Sequence, residues 1–200
     1  MYIPQEFKVH DPGFAEDFLR TYPFAELISV NETGRIIATH LPLLAEKVLD
    51  KMIISGHMSA ANEQSRHLTK REVLVIFREP HAYISPSHYD ARESVPTWNY
   101  AAVHCYCRAS IISTNEEKLS QMRTFISHFE QDYVPAFENL RREYLDKMLN
   151  GIVAFSLEVV HIEMKRKLSQ NKTNEERARI STTLADGNEL ERTISKMMKG

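Results

Sequence analysis

The side chains best suited to chemistry crowd into one part of the chain. His57, His81, Tyr83, His88, Tyr89, Trp98, Tyr100, His104 and Tyr106 bring imidazoles, phenols and the single tryptophan together. An imidazole can carry a proton near neutral pH. A flat indole such as Trp98 can stack on a planar ligand while Asn99 hydrogen-bonds the ligand's polar edge. For any one of these rings, core filling or an ordinary surface hydrogen bond is the commoner use. Two further groups point to anions. Gly56, His57, Ser59 and Asn62 cluster where a strand is expected to run into a helix, and free N–H groups at such a junction favour a phosphate. Lys165 to Lys172 holds four basic residues in eight, which suits either a solvated connector or an anion contact at a strand end.

Other chemistry is not signalled. The chain has no Gly-rich phosphate loop, no Gly-x-Ser-x-Gly elbow and no His-Glu-x-x-His. With six glycines it does not suit a dinucleotide-binding unit. Cys105 and Cys107 are the only cysteines. As i, i+2 neighbours on a strand, their Cα atoms lie roughly 6.5–7 Å apart, the far limit for a disulfide. They read as two buried reduced thiols, and a Cys-x-Cys metal pair lacks the second pair that would support it.

The elements that position these groups follow from local signals. Asp11-Pro12 opens a helix that Tyr22-Pro23 stops. Phe24 to Val30 and Arg35 to Leu43 read as a hairpin around Asn31-Glu-Thr-Gly34, with Pro42 marking an edge. Leu44 to Lys51 carries few signals. Met52 to Met58 is a strand, and Ser59 to Leu68 has helical composition with Ser59 as cap. Val73 to Phe77 is an apolar strand, with a second, His81 to Ser85, after Pro80 and a loop from Pro86 to Pro96. From Tyr100 to Ile111 the residues alternate: Ala101, Val103, Cys105, Cys107, Ala109 and Ile111 on one side, and Tyr100, His104, Tyr106, Arg108 and Ser110 on the other. One side fills a core while the other faces a ligand or a second subunit. Thr114-Asn-Glu-Glu117 and Thr173-Asn-Glu-Glu176 are capping boxes. The first opens a helix through Leu119, Met122, Phe125, Ile126 and Phe129, expected to stop at Pro135. Leu140 to Leu149 is a further helix, Ile152 to Ile162 the last long strand, and a final helix ends at Met198. Strands in antiparallel-looking succession with short connections suit a barrel or meander.

Composition narrows the class. The 200 residues are 42% hydrophobic and 26% charged, with net charge -2. That balance gives no overall pull toward nucleic acid or an anionic membrane. No apolar run approaches the roughly 20 residues of a membrane helix. The N-terminus lacks the basic and apolar regions of a signal peptide, so a cytoplasmic location is expected.

Five blocks in order carry a resemblance. They are Ala38-Thr-His-Leu-Pro-Leu43, Gly56-His-Met-Ser-Ala-Ala-Asn62, Val73-Leu-Val-Ile-Phe77 with Pro80-His-Ala-Tyr-Ile-Ser-Pro-Ser87, Val95-Pro-Thr-Trp-Asn-Tyr-Ala-Ala-Val-His104, and Lys167-Leu-Ser-Gln-Asn171. Together they resemble the PaiB family, described as FMN-binding negative transcriptional regulators. Members usually read Asn-Pro-Gln-Trp where this chain has Asn62-Glu-Gln-Ser65. The resemblance implies a mainly β fold with flanking helices, an FMN-binding split β-barrel related to pyridoxamine-phosphate oxidases and flavin reductases. It implies FMN as cofactor and a homodimer with flavin sites near the subunit interface. DNA as a partner comes from the family name alone. The barrel with inserted helices is expected over residues 1–165, and residues 166–200 as a helical extension packed on the same domain. Matched to the motifs, the cofactor-binding candidates are Thr39, His40, His57, Ser59, Asn62, Ser85, Trp98, Asn99, Lys167 and Gln170. Two alternatives stay open. One is an FMN-dependent oxidoreductase or flavin reductase. The other is a barrel holding haem through a histidine.

Overall fold

A computed structural model describes the chain from Met1 to Lys199. Seven strands form one antiparallel sheet in the order β2-β1-β5-β6-β7-β4-β3. The strands are β1 (Phe24–Val30), β2 (Ile36–Pro42), β3 (Leu44–Val48), β4 (Lys51–Ser59), β5 (Val73–Ile84), β6 (Thr97–Ile112) and β7 (Ile152–Lys167). The helices are α1 (Pro12–Thr21), α2 (Asn115–Phe129), α3 (Val134–Glu138), α4 (Arg142–Asn150), α5 (Asn174–Ala185) and α6 (Glu189–Lys199).

The chain divides into two compact units. The first comprises Met1–Phe18, Phe77–His104 and the chain from Glu163 onward. Its core joins Ala82 and Ile84 of β5 to Leu168, Ile180, Leu184, Ile194 and Met198. The second comprises Leu19–Ile76 and Cys105–Ile162. Its fully buried side chains include Leu27, Leu43, Ile54, Phe155 and Leu157.

The β1–β2 hairpin forms as its turn residues require. The side-chain oxygen of Asn31 accepts from the backbone N–H groups of Thr33 (3.0 Å) and Arg35 (2.9 Å), and Gly34 takes φ 86°. β2 ends the strand order, as Pro42 on an edge demands. β2 and β3 stand at opposite ends of that order, yet only Leu43 separates them along the chain. Two residues of advance reach at most about 7 Å, so the two outermost strands are drawn together and the sheet of this unit curls toward closure. Leu43 is fully buried, and its N–H donates to the Pro23 carbonyl at 2.8 Å.

Alternation on β6 holds over its first part, where Ala101, Val103, Cys105 and Cys107 are buried and both cysteines are free thiols, but not at its end, where Ala109 is half-buried and Ile111 exposed; Ala102 on the other side is buried as well. Both capping boxes are present, at Thr114–Glu117 and Thr173–Glu176. Three expectations are corrected, and one stretch that carries few signals is assigned. Ser59 to Leu68 is not an α-helix: β4 runs through Ser59, and a single 3-10 turn, Glu63–Arg66, follows. There Asn62, not Ser59, is the cap, its Oδ1 accepting from the Gln64 N–H at 3.0 Å. The two strands around Pro80 are one, β5. β1 pairs with β5 only at Leu74–Ile76, so past that point Pro80 breaks no bond on that side. Leu44–Val48 is a strand, β3, unmarked by any burial alternation because it is a largely exposed edge. Finally, α2 ends at Phe129, and Pro135 lies in the first turn of α3, where a missing N–H costs nothing.

Candidate cofactor site

In the first unit, the end of β7 concentrates positive charge. Lys165 is buried, at 7% exposure. Its Nζ donates to the Tyr2 carbonyl at 3.1 Å and lies 5.2 Å from the Tyr100 ring centroid. Two positions on, the Lys167 Nζ donates to the Thr97 hydroxyl and lies 5.8 Å from the Phe7 ring centroid. Among the described residues neither lysine has a carboxylate partner. Buried charges are ordinarily paired, and two cations at i, i+2 share one strand face. Burial first, then the Lys165 charge, holds the Lys167 pKa below the ordinary lysine value. Such a pair lacks an anion.

The turn after these lysines is rigid. Ser169 adopts φ 58°, a left-handed conformation uncommon for a residue with a Cβ. Its hydroxyl donates to Asn99 Oδ1 at 3.1 Å, and Gln170 Oε1 accepts from the Leu168 N–H at 2.7 Å. The Gln170 amide also donates to the Arg166 carbonyl. Strained backbone held by its surroundings often marks a binding site. At the N-terminus of α5 the capping box uses the Thr173 and Glu176 N–H groups and places the Glu176 carboxylate there, which disfavours an anion.

Trp98 projects from β6 between Thr97 and the fully buried Asn99, and is 51% exposed. The rings of His81 (5.8 Å) and Tyr83 (5.9 Å) flank it. The amide nitrogen of Asn99 donates to Met198 Sδ at 3.7 Å, so both ends of that amide are used inside the protein. Ser85 caps the short turn Pro86–His88, accepting from the Ser87 N–H at 3.2 Å.

In the second unit, Asn62 Nδ2 donates to Thr39 Oγ1 at 2.9 Å, and exposed Ser59 accepts from the Ala61 N–H at 3.2 Å. Thr39, Ser59 and Asn62 thus belong to one polar cluster. His40 takes the opposite face of β2, 3.7 Å from the Glu26 carboxylate. His57 stands apart from the cluster, its ring edge-on to Phe125 at 5.5 Å. Burial lowers its pKa. Sequence reasoning missed Gln64, Thr97, Lys165 and Ser169 as individual residues. Gln64 is fully buried, and its Nε2 donates to Leu27 O (2.9 Å), Ser29 Oγ (3.0 Å) and Ile37 O (3.3 Å), tying β1 to β2. The alternation of Lys165 and Lys167 at the end of a strand was the available signal for the buried cation.

The donor sets suit a phosphorylated planar ligand. Within the first unit, Lys165 and Lys167 have no carboxylate partner among the described residues, and the exposed Trp98 indole offers a flat face. The sequence matches the family described as "Putative FMN-binding domain" over residues 1–161. It is also 40% identical over 175 residues to "Protease synthase and sporulation protein PAI 2" of Bacillus subtilis (strain 168), a match covering 86% of this chain and 83% of that one. The chain belongs to the PaiB family. Its cofactor is FMN, the group named for the family domain. The PaiB fold is shared more widely. The flavocytochrome Anf3 of Azotobacter vinelandii superposes with a TM-score of 0.65 at 17% identity, over 83% of this chain and 72% of that one. The FAD and heme binding protein of Mycobacterium smegmatis gives 0.64 at 17% identity, over 90% and 80%. In this PaiB chain, FMN when bound would supply electron-transfer chemistry, and the protein's own groups bind and orient it. No helix among the described residues is long and apolar enough to cross a membrane.

Proposed function

We propose that this chain is an FMN-binding negative regulator of gene expression, working as a homodimer in the cytoplasm. The observation that supports the FMN site is buried Lys165 beside half-buried Lys167, neither with a carboxylate partner among the described residues. Lys167 with Thr97 takes the phosphate, and Trp98 offers its face to the isoalloxazine ring. Gln170 and Ser169 hold the turn that presents Lys167. The regulatory part rests on the likeness to PAI 2, whose name concerns protease synthesis and sporulation.

Regulation need not involve a broad DNA-binding face. The arginines of the C-terminal helices are engaged: Arg177 donates to the Met198 carbonyl at 3.1 Å, and Arg179 pairs with Asp90 and donates to the His88 carbonyl at 2.9 Å. With net charge -2, direct DNA binding should be weak even at about 50 mM salt, where phosphate contacts are strongest. The test is transcript profiling of cells lacking the chain. A set of transcripts should rise, and should fall again with the wild-type gene but not with Lys167→Ala. An unchanged profile overturns the regulatory role. Sedimentation of the purified chain should give twice the monomer mass.

A second reading is an FMN-dependent oxidoreductase. It is supported by the exposure of Trp98 and Tyr83 (51% and 49%), which leaves a flat aromatic surface open to another planar molecule. Anaerobic mixing with NADH or NADPH decides it: bleaching of the flavin absorbance supports turnover, and flavin that stays oxidised with both donors rejects it.

A further inference from the structure

On the face of β7 opposite Lys165 and Lys167, Arg166 borders a cavity of about 440 Å³ in the first unit. The facing wall is formed by the segment Glu6 to Asp11 and by Phe14 of α1. Backbone contacts hold that segment alongside β7. Lys8 forms a bridge with Lys165, and the Val9 N–H donates to the Met164 carbonyl at 3.5 Å. Phe7, buried in between, anchors it. Both walls are therefore placed by the fold itself.

The lining carries both signs of charge without pairing them. Arg166 and Lys8 are cationic, Glu6 and Asp11 anionic, and among the described residues none of the four pairs with another. Arg166 is half-buried, its guanidinium 5.8 Å from the Phe14 ring centroid. A guanidinium has five N–H donors, and among the described residues no acceptor takes any of these. Asp11 Oδ1 accepts the Gly13 N–H at 2.9 Å, which orients the carboxylate. Glu6, Lys8 and Asp11 are exposed, so a solute enters from their side. With histidine counted neutral, two charges of each sign give the lining no preference for a simple anion or a simple cation. A molecule that carries both signs satisfies both walls. Phe14 already stacks with Phe18 at 5.3 Å and with Arg166, so the cavity does not offer the open ring face a flavin would use.

We propose that this cavity is a second ligand site, binding a free α-amino acid with an apolar side chain. The ligand carboxylate takes the guanidinium fork of Arg166, a two-bond arrangement a lysine does not give. The ligand ammonium faces Asp11 and Glu6, and its side chain rests on Val9 and the edge of Phe14. The carboxylate contact dominates, because Arg166 is half-buried while exposed ion pairs contribute little. The site does not rest on the cofactor reading, since alternation along β7 turns Arg166 away from Lys165 and Lys167.

The test is calorimetric titration of the full chain, with and without FMN, by L-leucine, leucinamide, N-acetyl-leucine and acetate. Leucine should saturate at one per chain in both conditions. Leucinamide, which lacks the carboxylate, should bind about ten- to a hundredfold more weakly. N-acetyl-leucine, which lacks the cation, should bind about two- to fivefold more weakly. Arg166→Gln should make leucine and leucinamide equivalent. Should that variant not fold, Arg166→Lys, which keeps the charge and the stem, is the second arm, with leucine bound about five- to tenfold more weakly for want of the fork. Absence of saturable leucine binding overturns the proposal. So does leucinamide or acetate binding as tightly as leucine, and so does release of flavin by leucine, which would put the amino acid in the cofactor site. If FMN itself does not bind, the titration of the flavin-free chain still decides the amino-acid site.

Discussion

In the proposed cofactor site, Lys167 is the residue on which FMN binding would turn. Charge-assisted hydrogen bonds are the stronger kind, so Lys167→Ala should weaken FMN binding by about ten- to a hundredfold, read by quenching of flavin fluorescence. Because Trp98 is the only tryptophan, its emission should fall as FMN is added to the wild-type chain. Two titrations belong to the same scale. Burial lowers the His57 pKa, so the folded state binds fewer protons there than the unfolded chain. That contribution to stability is complete above about pH 6.5 and is lost as pH falls below it. Burial, then the charge of Glu72, raises the Cys107 pKa to about 12. That contribution is complete below the unfolded thiol value of about 8.5 and is lost as pH climbs toward 12. Urea midpoints measured across pH should fall on both flanks, and Cys107→Ala should lessen the alkaline fall, to which buried Cys105 also contributes. Lys167 and the basic run around it were legible in the sequence as a possible anion contact. The burial of Asn99 was not, because its partners Ser169 and Met198 lie 70 and 99 residues away along the chain.

Among the elements, β4 tolerates least change at Gly56. A Cβ there would stand 2.3 Å from Leu43 Cδ2 and 3.0 Å from the Phe155 ring. Gly56→Ala should cost about 1–3 kcal/mol by overpacking. Gln64→Ala should cost about 1–3 kcal/mol for each acceptor left without a donor. Equilibrium unfolding measures both, with FMN affinity expected to follow stability. The helices with capping boxes and the Asn31 hairpin could be read from sequence because their bonds are local. The turn at Glu63–Arg66 could not. Its composition suits a helix, but the Gln64 side chain is taken by carbonyls of β1 and β2, and Asn62 bonds Thr39. Likewise Pro80 looks like a strand break until it is known that β1 stops pairing before it.

At the scale of the molecule, a sheet that curls toward closure needs its last two strands near each other, and here the chain itself enforces that. Leu43 acts as a clasp between the rims β2 and β3. Lengthening it with a short flexible insert would let the rims drift apart and leave the unpaired backbone groups of these two edge strands open to a strand from another molecule. Such an insert should yield swapped or aggregated species by light scattering. The same insert beside Gly34, in the exposed hairpin turn, should leave the protein unassociated. Fidelity of assembly would then depend on a linker too short to let go.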